Sequence, residues 1–448
     1  MNYEVYPFRA PQNIAVVGSG IAGLSTAWLL SGKHTVTVYE LENRLGGHSN
    51  TVDVQIDQTL QPVDTGFIVY NEENYPNLVA LFDYLGVQTE SSQMSFAVSL
   101  DEGSFEFGSC NLNSILGQRS NIFRARFLNM FWDVRRFYRE GREFLLNSPS
   151  CYDMTLGNFL TERSYNGDFV ERFILPMGAA IWSTSPELMR DQPALTFLKF
   201  FASHGLLRFF NRIPWRTVTG GSREYVRHLT ADYGGRLRLN SGVRSVSRHT
   251  GRVKIIDGYG VSHDHDAVVV ATHADQALKM LTDPDGLERR LLSAFRYNKN
   301  DVVLHSDADL MPKRRNLWSS WNFMGDTDGG VSVTYWMNSL QSIDRRIQLY
   351  VSVNPKKEPN PLHVHKSLVY EHPIFDSNSW RAQENLWKLQ GRRNTWFCGS
   401  YFGYGFHEDA LQSGLAVAEE LGGTKRPWSV EGDSSRIYRN ARAGLVLQ

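Results

Sequence analysis

The chain has 448 residues, 42% hydrophobic and 21% charged, with 47 Lys and Arg against 47 Asp and Glu. That length exceeds one compact core and predicts two domains. The composition excludes a disordered chain, and the even charge balance excludes the basic footprint of a nucleic-acid binder.

In chain order, the opening "MNYEVYPFRAPQ" lacks the apolar core of a signal peptide, so export is not expected. Asn13 to Val17 is a short apolar run that reads as a buried strand. Gly18, Gly20 and Gly23 follow in G-x-G-x-x-G spacing, and Ile21 to Leu30 carries helical apolar spacing. Gly18 permits a tight turn, Gly20 lets backbone approach a pyrophosphate, and Gly23 lets helix and strand pack closely. A second strand, Val36 to Tyr39, ends at Glu40, about twenty residues past the glycines, where a ribose hydroxyl acceptor is expected. Strand, glycines, helix, strand and acid in this order predict a dinucleotide cradle. In "ENRLGGHSNTV", Arg44 can offset pyrophosphate charge, and Gly46-Gly47 permits a second close backbone approach that a plain NAD domain does not need. Strands are predicted around Arg236–Leu239, Gly242–Ser247 and Val253–Ile256. Two later stretches read as returns to the first sheet: Ala267 to Val270, and "TWFCGSYFGYGFHEDALQSGLAVAEEL" with its helix from about Ala410 to Leu421.

This combination resembles the FAD-binding flavoproteins of the amine oxidase and phytoene desaturase type. The resemblance implies an α/β fold, with a discontinuous Rossmann-like FAD domain over 11–90, 215–275 and 391–424. An α+β substrate domain would occupy 91–214 and 276–390, leaving a C-terminal tail at 425–448. It places "VDTGF" (Asp64, Thr65, Gly66, Phe67) near the flavin ring and Val243 near the adenine half. It closes the last strand, loop and helix over the flavin. The candidate FAD set is Gly18, Ser19, Gly20, Ile21, Ala22, Gly23, Glu40, Leu41, Arg44, Gly46, Gly47, His48, Asp64, Thr65, Gly66, Phe67, Val243, Ala271, Gly399, Gly405, Phe406 and Ala410. Further stretches, among them "ILPMGAAIWS", "LWSSWNFMG", "EHPIFD" and "FCGSYFGYGFHEDALQSG", resemble a narrower family over roughly residues 12 to 423. That family includes the N-terminal flavoprotein half of plant cyclopropane-fatty-acid synthases and bacterial flavoproteins that accompany fatty-acid methyltransferases. Some bacterial relatives take part in making furan fatty acids. The resemblance implies an acyl-lipid substrate, desaturation of a methylated chain to a methylated diene, and a fatty-acid methyltransferase as partner. A flavin amine oxidase, a double-bond isomerase or reductase, and a non-catalytic partner of the methyltransferase are the alternatives.

His407, Glu408 and Asp409 follow the last glycine loop, and His407 or Glu408 is the expected proton acceptor. Tyr404 and Tyr401 are candidates for the flavin's ring face, and Trp182, Trp318, Trp321, Tyr335 and Trp336 for the pocket wall. One helical stripe carries Phe123, Phe127, Phe131, Val134 and Tyr138, with arginines largely elsewhere, and reads either as core packing or as a face for anionic lipid. The segment with Phe197, Phe200, Phe201, Leu206, Leu207, Phe209 and Phe210 is apolar all round and reads as a buried helix, a tunnel wall or a membrane-dipping element. The pairs His263/His265 and His363/His365 lack matching third and fourth ligands, so no metal is expected. Cys110, Cys151 and Cys398 show no C-x-x-C spacing and fit a reducing compartment. No apolar run reaches ~18 residues. The expected location is therefore cytoplasmic, with peripheral attachment to the inner face of the membrane.

Overall fold

The computed structural model describes residues 10–109, 112–147, 153–207, 213–231, 233, 236–325, 331–422 and 425–439. Cys110, Cys151, Phe209, Phe210 and the tail beyond 439 lie outside the described residues.

A five-stranded parallel sheet runs in the order Leu237–Arg238, Thr35–Tyr39, Asn13–Val17, Ala267–Val270, Thr395–Phe397. Its strands come from three separate stretches of sequence. The central two are almost wholly buried, as expected for parallel strands covered on both faces. The helix Ile21–Ser31 packs against the last helix, His407–Gly422, at very short range. A Cβ on Gly414 would lie 2.4 Å from the Ala22 carbonyl oxygen, and Thr26 Oγ1 donates to the Gly414 carbonyl at 2.9 Å. Small residues on both helices allow this approach, and it fixes where the last helix begins relative to the first glycine turn.

A seven-stranded sheet forms the second layer, in the order Val364–Ile374, Arg296–His305, Tyr350–Val353, Val331–Trp336, Trp321–Gly325, Phe96–Leu100, Phe105–Gly108. Its pairings are antiparallel except the parallel contact of Trp321–Gly325 with Phe96–Leu100. Helices Ala125–Asn147, Leu175–Trp182 and Ala194–Ser203 belong to the same part of the chain. A π-turn at Val170–Ile174 runs directly into the helix that carries Pro176, a residue with no N–H to donate.

The apolar stripe of Ala125–Asn147 faces the core. Phe127 and Val134 are buried, Phe131 and Tyr138 pack against the same cluster, and Phe123 lies outside the helix, exposed. In the 195–207 segment, Phe197, Phe201 and Leu207 are buried core, whereas Phe200 and Leu206 also reach a cavity wall. No described helix is long and apolar enough to cross a membrane.

Candidate active site

One cavity of about 1420 Å³ runs between the two sheets. A typical small-molecule site occupies ~300–1,000 Å³, so this volume suits a large cofactor together with a substrate.

Glycine turns build one end. Gly18 has φ +100°, and a Cβ there would meet the Ala271 carbonyl oxygen at 2.7 Å. A Cβ on Gly23 would lie 2.0 Å from the Gly18 carbonyl oxygen. Gly20 differs: a Cβ there meets nothing within 4 Å, because the residue faces open cavity. The second turn closes onto the first, since a Cβ on Gly47 would approach Gly20 Cα at 3.2 Å. The third turn closes onto the second, since a Cβ on Gly66 would lie 2.3 Å from the His48 carbonyl oxygen. Three turns distant in sequence thus form one backbone cradle beside the N-terminus of Ile21–Ser31. Backbone N–H groups and the helix dipole there favour phosphate.

Polar groups complete that end. Glu40 Oε2 accepts from the Ser19 N–H at 2.9 Å and from Ser19 Oγ at 2.6 Å. Arg44 Nη1 donates to the Gly47 carbonyl at 2.8 Å and pairs with Glu42. Leu41, Val243, Ala271 and Gly399 also line the cavity, as do Ile21 and Ala22.

Asp64 occupies a different place from the one expected. It is fully buried behind the cavity wall, where its carboxylate accepts from Ser222 N, Ser222 Oγ, Thr51 Oγ1 and Gln341 Nε2. Burial pushes its pKa up to about 6 despite these donors. It braces the hairpin of strands Thr51–Ile56 and Thr59–Asp64, while Thr65, Gly66 and Phe67 form the cavity wall itself. Gly23 likewise supports the cradle without lining it.

Glu408 is also turned away. Its carboxylate accepts from the Asn77 N–H at 3.1 Å and the Leu78 N–H at 3.0 Å, capping the helix Pro76–Leu85, and from Asn77 Nδ2 and Gln412 Nε2. This buried, fully engaged acid does not reach the cavity, which corrects its expected role as a proton acceptor. Asp409 caps its own helix by accepting from the Phe406 N–H at 2.7 Å, and it pairs with Arg436. Tyr401, Tyr404, Gly405, Phe406, His407 and Ala410 do line the cavity. His407 stacks on Phe67 with ring centroids 3.8 Å apart. Its Nε2 lies 3.0 Å from Ser49 Oγ and 2.9 Å from the Tyr225 hydroxyl, and those two hydroxyls bond each other. Burial pushes its pKa down to about 3, so the ring is neutral near pH 7.

A polar group that the sequence reading assigned no role faces the same space: Tyr370, Glu371 and His372 from the strand Val364–Ile374, with His273. His48 stacks on Tyr370 at 4.9 Å and sits 5.3 Å from the His372 ring. The His372 tautomer follows from its neighbours. Asn300 Nδ2 donates to the Asn298 carbonyl, and Asn300 Oδ1 accepts from Asn354, which fixes the amide orientation. The same Nδ2 therefore donates to His372 Nδ1 at 2.9 Å, and the neutral ring carries its proton on Nε2. Burial first, then His273, lowers the His372 pKa to about 4. "EHPIFD" was visible as a motif, but nothing local to it shows which of its side chains meet the cavity.

The other end is apolar. Phe96, Phe173, Met177, Ile181, Phe200 and Leu206 line it, and Trp182, Trp321 and Tyr335 add aromatic wall. Phe200 stacks on Phe406 at 4.9 Å, which joins this end to the last glycine loop. Trp318 and Trp336 pack against each other instead and do not line the cavity. Among the described residues, the acids on the cavity wall are Glu40, Glu42 and Glu371, and Glu371 lies 3.3 Å from His273 Nδ1.

Residues 21–422 match the family described as flavin containing amine oxidoreductase. AofH of Mycobacterium tuberculosis, described as a flavin-containing monoamine oxidase, is 26% identical over 292 residues, 61% of this chain and 59% of that protein. The chloroplastic/chromoplastic 15-cis-phytoene desaturase of an Oncidium hybrid cultivar is 25% identical over 310 residues, 65% of this chain and 51% of that protein. The chain thus spans between half and three-fifths of these relatives' length. A CLA-producing fatty acid isomerase from P. acnes shares the fold, with TM-score 0.65 and 17% identity over 92% of this chain and 97% of that one. So does putrescine oxidase bound to putrescine, with TM-score 0.65 and 16% identity over 92% and 99%.

Proposed function

The chain belongs to the flavin containing amine oxidoreductase family, with FAD as its cofactor, and from that premise we propose that it oxidises a lipid acyl chain, converting a methylated unsaturated chain to a methylated diene. The observation that carries this reading is the apolar end of the cavity. It offers mainly aromatic and aliphatic side chains, and the described carboxylates on the cavity wall are already engaged, Glu40 with Ser19, Glu42 with Arg44 and Glu371 with His273. Leaving an ammonium there unpaired would carry a desolvation cost of several kcal/mol, roughly, whereas an acyl chain gains about 0.8 kcal/mol for each CH₂ it buries. The resemblance of "EHPIFD", "LWSSWNFMG" and "YGFHED" to flavoproteins that accompany fatty-acid methyltransferases supports the substrate class. Such a methyltransferase would supply the methylated chain and is the candidate partner.

The residues present fit FAD. The three glycine turns and Arg44 would hold the pyrophosphate, Glu40 the ribose, Leu41 and Val243 the adenine side, and Phe67 with the start of His407–Gly422 the ring system. When bound, the flavin supplies a two-electron acceptor for the hydride that leaves carbon. The chain's own task is to take the neighbouring proton. Neutral His407 is suited to pass it on rather than to store it, because burial keeps its pKa near 3 and the Ser49 and Tyr225 hydroxyls stand at its Nε2. His372, with its proton on Nε2, is set to donate a hydrogen bond. Tyr404, Phe406 and Phe200 form an aromatic wall that excludes water from the acyl chain.

The test mixes the FAD-loaded protein anaerobically with a phospholipid bearing a methylated monounsaturated chain. Loss of the oxidised flavin absorbance, with a lipid product two hydrogens lighter, is expected. Bleaching by putrescine or benzylamine but not by the lipid overturns the reading in favour of an amine oxidase. A moved double bond with unchanged mass replaces desaturation by isomerisation, the reaction named for the P. acnes protein of the same fold.

A further inference from the structure

The helix Ala125–Asn147 buries Phe127, Met130, Val134, Phe137 and Phe144 on one face. Its other face is also apolar in part. Leu128, Trp132, Arg135 and Arg139, spaced i, i+4, i+7 and i+11, lie along one exposed ridge, and Leu146 continues it. Trp132 is 68% exposed and Leu146 82%, while Phe123, in the turn just before the helix, is 90% exposed. Arginines surround these side chains. The stretch 119–147 holds seven arginines and three acids in a chain whose total charge is zero. Arg126 and Arg139 make surface ion pairs with Asp168 and with Glu140 and Glu143, and Arg124 and Arg135 are exposed beside them.

We propose that this ridge, Phe123, Leu128 and Trp132 rimmed by Arg124, Arg135 and Arg139, docks the protein on an anionic lipid bilayer. The membrane face is thus the reverse of the stripe that Phe127, Phe131 and Val134 mark in the sequence. The choice of occupant rests on the acyl-chain reading, since that substrate resides in a bilayer. The form of the ridge favours a bilayer as well. Single large side chains project along a convex helix, as suits insertion among headgroups. Tryptophan prefers the interfacial layer, and arginine stems can lie on apolar surface while their heads reach lipid phosphates. Tyr138, on the flank of the same helix, lines the cavity, so the helix stands between the proposed docking surface and the apolar end.

The test uses the FAD-loaded full chain and vesicle co-sedimentation at low salt. Vesicles containing phosphatidylglycerol should bind at least ~10-fold more tightly than pure phosphatidylcholine. Phe123→Ser with Trp132→Ser should weaken that binding ~10-fold or more, and Arg135→Glu with Arg139→Glu should remove the preference for anionic lipid. Unchanged flavin absorbance and melting temperature in these variants show that the fold is kept. Quenching of wild-type fluorescence by brominated lipid, reduced in Trp132→Phe, places the ring in the bilayer. Equal vesicle binding by wild type and both double variants overturns the proposal. So does a wild-type dimer that Phe123→Ser with Trp132→Ser splits into monomers, which makes the ridge a contact between copies. Turnover of detergent-dispersed methylated lipid is measured in parallel. If turnover is present but vesicle binding is absent, the docking surface is wrong and the substrate reading stands.

Discussion

The two ends of the cavity are built by different means. At the cradle end, backbone does the recognising: Gly18, Gly47 and Gly66 bring main chain against main chain, Gly20 leaves the cavity open, and side chains mostly support the turns. At the apolar end, side chains from distant elements converge: Phe96 from one strand, Met177 and Phe200 from two helices, Tyr335 from another strand. A backbone site demands fixed local spacing and tolerates little change. A side-chain site is assembled by tertiary packing, so its residues carry no common spacing.

Two glycines three residues apart separate support from recognition, and this gives the largest expected effects. Gly23→Ala drives a Cβ to 2.0 Å from the Gly18 carbonyl oxygen, a backbone atom that cannot yield cheaply. The variant should lose about 4 kcal/mol or more of stability, visible as insoluble protein or a collapsed melting temperature. Gly20→Val should behave otherwise. Its φ of −65° and ψ of 175° suit any residue, and its Cβ meets nothing within 4 Å. The protein should fold, yet bind FAD ~100-fold or more weakly, about 3 kcal/mol, because the side chain fills the space where the pyrophosphate approaches. Equilibrium titration with FAD checks this, and a yellow Gly20→Val with wild-type affinity would break the comparison.

The same contrast explains what could be read in advance. The first glycine turn, Glu40 and the second glycine turn were legible because each depends on residues close in sequence. The acids were harder. Asp64 and Glu408 sit beside cavity-lining residues, yet each serves a buried structural task. For Glu408 the helical period already held the answer. His407 and Ala410, three apart, share the cavity face, and Glu408 is rotated about 100° from His407. For Asp64 the partners Ser222 and Gln341 are far along the chain, and no local pattern announces them. The helix Ala125–Asn147 was ambiguous for a different reason: a stripe such as Phe127, Phe131 and Val134 has the same period whether it packs into a core or lies on lipid, and only the tertiary contacts decide.

Within the reacting end, His407 and Glu408 are neighbours with opposite expected signatures. His407→Gln should lower the rate of flavin reduction by the lipid ~100-fold or more while FAD stays bound. Tyr225→Phe, which removes one hydroxyl of the relay, should lower it ~10-fold. Glu408→Gln should leave that rate within ~3-fold, because the acid faces the Pro76–Leu85 helix, and should cost about 1–3 kcal/mol of stability through the weakened cap. Rapid-mixing absorbance and thermal unfolding measure the two quantities. A large rate loss in Glu408→Gln with unchanged stability would return the proton acceptor to that acid.

Asp64 gives the smallest and most directional effect. Its folded pKa of about 6 lies above its ordinary value of 3.8 because burial disfavours the charge. The folded state therefore holds the proton more tightly than the unfolded state. The stabilisation from this group is complete below pH 3.8 and is lost as pH rises through 6. Asp64→Asn removes the titration but keeps most of the shape and one good acceptor. The variant should be less stable than wild type at both pH values, and the deficit should be ~1 kcal/mol smaller at pH 7 than at pH 5. Denaturant unfolding of both proteins at the two pH values measures this. A deficit that grows toward pH 7 would mean that Ser222, Thr51 and Gln341 stabilise the carboxylate more than burial opposes it. The brace of that hairpin would then owe its strength to charge.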